Sequence, residues 1–234
     1  MRAQARLRAE AAPGGGVRLV ELTQAAPLGL RQVGDTVYLI GTAAGPLGDD
    51  VVHLDISVGA GARLTIRSVA ASVTYAGWGA EYHLDVLVAE GAYLDWRLEP
   101  LVATQGCDHR VETRVRLATG AGLSWCEEVL LGRYGERPGR IDLNLAVDVE
   151  NRPLLRHQLD TGPDNPAWAG PAVTAGYRAV GLHLLAGPGP LAPAASGEGW
   201  ACMPLDGPAT LTVVVAADLP ALRQRAPGWP GSGR

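Results

Sequence analysis

The sequence has no lysine and no phenylalanine, so all 20 of its basic residues are arginine. That bias reads as the codon usage of a GC-rich genome rather than a functional choice. Acidic residues outnumber basic ones, leaving a formal charge of −4 and a pI of about 5.7. Phosphate recognition needs a basic footprint, so nucleic acid is not expected as a partner. No apolar run approaches the roughly 18 residues that cross a bilayer, and no membrane association is expected. The longest strongly apolar stretch, residues 211–217, suits a buried strand. Residues 1–16 scatter Arg2, Arg6 and Arg8 among Ala and Gly without an apolar signal-peptide core, and read as a flexible N-terminus. The three cysteines, Cys107, Cys126 and Cys202, are odd in number and at no metal-site spacing. They read as reduced thiols of a cytoplasmic protein.

Hydrophobic residues make up 47% of the 234-residue chain, enough for a sizeable core. Leu54, Ile56 and Val58 alternate with polar neighbours, a Gly-Ala-Gly turn ends at Gly61, and Leu64 and Ile66 alternate again. Period-2 alternation marks a strand with one buried face, and glycine supplies the positive φ of a tight turn. The unit recurs around Gly91, with Leu84, Val86 and Val88 before it and Leu94, Trp96 and Leu98 after it. It recurs around Gly120, with Val111, Thr113, Val115 and Leu117 before it and Leu123 and Trp125 after it. A fourth copy runs through Leu143, Leu145, Val147 and Val149, turns at residues 150–153 and returns through Leu154 to Leu159. The glycines step by 30 and 29 residues. Such a period fits stacked β units sharing one core, and equally an antiparallel sandwich with evenly spaced hairpins. One helix is predicted over Leu219–Arg225, with Asp218 as N-cap and Pro220 early in the helix. Residues 187–199 read as an exposed loop and 227–234 as a flexible tail, leaving 17–226 as a single β-rich domain.

Motifs for catalysis are absent. Gly45, Pro46, Leu47 and Gly48 lack the Lys and hydroxyl of a phosphate-cradling loop, and neither a G-x-S-x-G elbow nor an H-E-x-x-H pair occurs. No catalytic or cofactor-binding residue is assigned. Cys107, Asp108 and His109 combine a thiolate, a carboxylate and an imidazole suited to nickel, copper or zinc. They come from one short segment, and a polar loop entering a strand is the plainer reading. Glu99, Glu127, Glu128 and Glu136 cluster near strand ends and could pass a divalent cation along. Solvated ends, ion-paired with Arg97, Arg133 or Arg137, are the plainer reading.

Taken in order, these segments resemble the UreD (UreH) family of urease accessory proteins. The resemblance rests on Gly45 to Asp50, on His53 to Ala71 with its Gly59-Ala60-Gly61-Ala62-Arg63-Leu64 turn, and on Leu98-Glu99-Pro100-Leu101. It rests also on Leu123 to Glu128 followed by Gly132-Arg133 and Gly135-Glu136, and on Arg152 to His157. It covers roughly residues 30 to 220, and the chain is similar to the short form of actinobacteria-like sequences. Asp49 departs from the family's usual Gly, residues 101–107 match loosely, and the tail lacks the family's Arg- and Trp-bearing stretch. The resemblance implies a mostly β, β-helix-like stack of two layered sheets with one or two short helices. It implies a non-catalytic factor that binds urease apoprotein subunits and recruits UreF, and through it the GTPase UreG, for nickel insertion. It implies no tightly bound cofactor, transient nickel(II) only, and a water-filled passage for Ni²⁺ through the fold. A β-helix enzyme acting on carbohydrate with a carboxylate pair such as Glu99 and Glu127 is the alternative. Trp96 and Trp125, at matching repeat positions, fit core packing better than a sugar groove.

Overall fold

A computed structural model describes residues 1–43, 47–77, 79–162, 165–189 and 191–230. The first strands are β1 (Arg2–Ala11), β2 (Val17–Thr23), β3 (Leu28–Val33), β4 (Thr36–Gly41), β5 (Val51–Val58) and β6 (Arg63–Ser68). Then come β7 (Ser72–Thr74), β8 (Ala80–Val88), β9 (Tyr93–Arg97), β10 (Leu101–Ala103), β11 (Asp108–Leu117) and β12 (Gly122–Leu131). The last are β13 (Arg140–Val149), β14 (Arg152–Thr161), β15 (Ala179–Ala186), β16 (Ala195–Gly197), β17 (Trp200–Pro204) and β18 (Ala209–Ala216), followed by α1 (Leu219–Arg225). A short 3₁₀ turn covers Pro166–Ala169.

Two sheets face each other. The first runs β14-β13-β11-β8-β5-β1-β2 and the second β16-β17-β18-β15-β12-β9-β6-β4-β3, with β10 beside β12 and β7 beside β10. Strands β5, β8 and β11 each cross to the opposite sheet as β6, β9 and β12, making three stacked coils. Each crossing pivots on one left-handed glycine, Gly61, Gly91 or Gly120, with φ of 67°, 64° and 68°. Because the coils stack in register, equivalent residues form ladders. Leu64, Leu94 and Leu123 align, as do Ile66, Trp96 and Trp125. Trp96 and Trp125 stack with centroids 4.6 Å apart. Facing ladders of Leu54 and Leu84, and of Ile56, Val86, Val115 and Val147, complete the main core. Each fully buried side chain of this size contributes roughly 1.5–3 kcal/mol.

The layered stack that the resemblance implies is present, while four details differ. The fourth repeat does not cross sheets. Glu150 and Asn151 both take positive φ (50° and 60°), a hairpin geometry that returns β14 antiparallel to β13 in the same sheet. Residues 1–16, read as flexible, instead supply β1, hydrogen-bonded between β2 and β5. Its inward residues are Ala3, Ala5, Leu7 and Ala9, small enough for the alternation to look like low complexity. The tail from 227 is anchored at Trp229, which is 2% exposed; residues 231–234 lie outside the described residues, as do Gly45 and Pro46. Within 187–199, residues Ala195–Gly197 form the exposed edge strand β16. Helix α1 forms where predicted, and Asp218 Oδ1 accepts the Ala221 N–H at 2.8 Å.

Candidate functional site

The core is not filled along its whole length. Toward the end where β5, β8 and β11 begin, the sheets enclose a cavity of about 420 Å³. Its floor, on the first sheet, carries Val52, Tyr82, Leu84, His109, Val111 and Thr113. Its roof, on the second sheet, carries Trp96, Leu98, Trp125, Glu127 and Val129. It reaches the surface past residues 69–75, where Val69 and Tyr75 are 58% and 48% exposed.

Period-2 geometry places the polar groups here. His109, Val111, Thr113, Val115 and Leu117 share the inward face of β11, so the two positions nearest the strand's start and middle bring polarity inside. Likewise Leu123, Trp125, Glu127 and Val129 share the inward face of β12. Glu127 accepts a hydrogen bond from Trp125 Nε1 at 2.8 Å. Burial nevertheless raises its carboxyl pKa, because that one bond does not replace lost hydration. His109 is 4% exposed and burial lowers its pKa to about 4, so the imidazole is neutral. Its Nδ1 has no hydrogen-bond partner. Such a buried, unpartnered acceptor or donor is costly unless something else meets it, and water or a passing cation in the cavity would do so. Burial likewise raises the Tyr82 phenol.

The sequence candidates separate. Cys107 packs into a satellite apolar cluster with Ala103, Val129, Leu131 and Ile141, and its thiol lies against Gly139, where a Cβ would stand 2.6 Å from Sγ. Burial raises that thiol's pKa, the reverse of what a metal thiolate needs. Asp108 is half-buried beside it, and only His109 lines the cavity. Among the described residues no group of three His, Cys, Asp or Glu is arranged to hold a metal ion. Of the four carboxylates, Glu127 alone points inward. Glu136 is bound to Arg133 (Nη2–Oε1 2.6 Å) and to the backbone of Gln105, which lowers its pKa to about 2.

Glu99 and Glu128 converge on the outer face of the second sheet. Arg223 of α1 donates from Nε and Nη2 to Glu128 at 2.9 and 2.6 Å, and from Nη2 to Glu99 at 3.4 Å. Trp229 Nε1 donates to Glu128 at 2.8 Å. Trp229 reaches it across Gly181, where a Cβ would lie 2.6 Å from the indole. Reading the sequence missed Arg223, Trp229 and Tyr82. Arg223 is 95 residues from Glu128, and no local pattern joins them; a lone Trp in a Pro/Gly-rich tail was the available sign of an anchor.

These features define a two-sheet β stack with a partly polar internal cavity and a C-terminal segment clamped over one sheet. The family model described as "UreD urease accessory protein" matches residues 1–225. A urease accessory protein UreD of Parafrankia sp. (strain EAN1pec) is 42% identical, over 96% of this chain and 86% of its own. One from Frankia casuarinae is 38% identical over 96% and 87%. Another, UreD 3 of Streptomyces griseus subsp. griseus, is 42% identical over 95% and 93%. The chain belongs to the UreD family of urease accessory proteins, which serve an enzyme rather than being one. The carbohydrate-enzyme alternative is therefore corrected. Its two carboxylates are also on different faces, Glu127 against Trp125 inside and Glu99 against Arg223 outside.

Proposed function

We propose that this protein acts in urease maturation by binding the urease apoprotein and recruiting UreF, with UreG arriving through UreF. In this reading the internal cavity is part of a passage for Ni²⁺, which is cargo and not a resident cofactor. The observation that carries it is the cavity's chemistry: a neutral imidazole with an unpartnered Nδ1 and a carboxyl with a single hydrogen bond, in a space open to the surface. Imidazole nitrogen and carboxylate oxygen are both suitable donors for a borderline divalent ion. The spread of donors, never three together among the described residues, suits brief contact and onward release. Cys107 and Asp108 have no part in this reading, nor does Glu136. A cytoplasmic location is part of the proposal; no helix among the described residues is long and apolar enough to cross a membrane.

The test is a pull-down of the tagged chain against its host's urease subunits and UreF, with urease activity measured in cells lacking the gene. Co-purification and nickel-dependent restoration of activity are expected. A folded chain that binds neither and restores nothing would refute the reading.

A further inference from the structure

The cavity between the sheets opens where the second sheet is interrupted. Residues 69–71 stand between β6 and β7, and residues 98–100 between β9 and β10, and neither segment is a strand. Val69, Ala70, Ala71 and Leu98 line the cavity there, and Val69 is 58% exposed, so the entrance is apolar. Inside, the floor brings Leu84, Val111 and Leu143, and the roof brings Leu98, Trp125 and Val129. A cavity of about 150 Å³ holds one benzene ring. At about 420 Å³ this one has room for a two-ring molecule and falls within the size range of small-molecule sites.

Two hydrogen-bonding positions meet that space, one from each sheet. His109 is 4% exposed on the inward face of β11, and its Nδ1 has no partner. A buried polar atom of this kind costs free energy until something meets it. Glu127 Oε1 accepts the Trp125 N–H at 2.8 Å, and the other carboxyl oxygen has no hydrogen bond among the described residues. Burial opposes charge on His109, Glu127 and Tyr82 alike. A charged ligand gives up its hydration for walls that are mostly apolar, whereas a neutral aromatic one loses little and buries its own apolar surface. Walls that hold an ion only in passing therefore suit a neutral molecule that stays.

We propose that the cavity is a binding site for a neutral two-ring aromatic molecule with one N–H edge, and that His109 is its polar anchor. The rings lie against Trp125 and the aliphatic floor, and the polar edge turns to His109 Nδ1. A neutral imidazole nitrogen accepts in one tautomer and donates in the other, and a ring with adjacent N–H and N atoms answers either. The site goes beyond nickel transit and does not depend on it. A molecule seated there excludes cargo from the space it fills.

The test is calorimetric titration of indazole into the metal-free full chain, beside indene, which has the same two-ring shape and no nitrogen. Saturable binding of indazole is expected, with indene weaker by about tenfold. His109→Leu should weaken indazole by about tenfold and leave indene unchanged. Val111→Trp, which fills the cavity, should abolish binding of both; should it fail to fold, His109→Leu alone decides. A folded wild type that does not bind indazole, or binds it no better than indene, overturns the proposal. So does a folded His109→Leu that keeps wild-type affinity for indazole. Because the titration holds no metal, failure here leaves nickel transit standing. Normal nickel loading of urease beside a plugged cavity would remove transit and leave this site intact.

Discussion

The two ends of the same three coils are built differently. Near the glycine turns, Leu64, Leu94 and Leu123 share one buried apolar cluster with Ile56, Val86 and Val115. At the other end the identical register delivers Tyr82, His109, Thr113 and Glu127, and the sheets leave a cavity. The backbone plan is common to both, so the difference lies in side chains and in the gap between β9 and β10 at residues 98–100. A stacked-coil fold can therefore carry a stability half and a functional half on one set of strands, because ladders fix position while each rung remains free in identity.

The sharpest way to break the comparison is where the filled core meets the roof of the cavity. Trp125→Ala removes the Trp96 stacking partner from a site of zero exposure, and should cost about 3–5 kcal/mol in a denaturant titration. The clamp over the second sheet should come next. Glu128→Ala removes a buried carboxylate that accepts from both Trp229 Nε1 and Arg223, so a loss of about 1–3 kcal/mol is expected.

Acid titration reads the buried ionisable groups more finely. His109 in the cavity and His183 of β15, buried edge-on to Trp229, are held at about pKa 4, below the unfolded value of 6.5. Between those values the unfolded chain binds protons that the folded chain does not, so stability falls as pH falls from about 6.5 to 4. Each imidazole contributes a slope of at most about 1.4 kcal/mol per pH unit. His109→Leu should remove one such share of the slope. Glu127 acts with the opposite sign. Its raised pKa makes the folded state hold a proton that the unfolded state releases, so its contribution declines as pH rises above the unfolded value. Glu127→Gln should therefore change stability by less than about 1 kcal/mol at pH 5, and gain on wild type as pH rises. At the small end, Glu136→Gln at the exposed Arg133 pair should leave the melting temperature unchanged.

Alternation exposed most of the fold in the sequence, since a strand with one buried face writes its period into its residues. Leu54, Ile56 and Val58, or Leu94 and Trp96, needed no further help. What alternation does not encode is where the next strand goes. The turns after Val58 and Val149 looked alike, yet one left-handed glycine carries the chain across to the facing sheet while two successive positive φ values at Glu150 and Asn151 fold it back. Strand β1 was hidden because its inward residues are mostly alanine. Of the site, Glu127 and His109 were visible as candidates, and Trp125 as a core residue. Their separation from Cys107, Glu99, Glu128 and Glu136 was not visible, because it depends on strand parity and on a helix almost a hundred residues away.

The central claim is that nickel travels through the polar end of the stack. The direct measurement is the nickel content of urease purified from cells carrying Val111→Trp, in which an indole fills the cavity, beside wild type. Urease with at least tenfold less nickel, from cells in which the variant still folds and co-purifies with urease, is the predicted result. Urease fully loaded with nickel in the presence of that folded, plugged variant would contradict it.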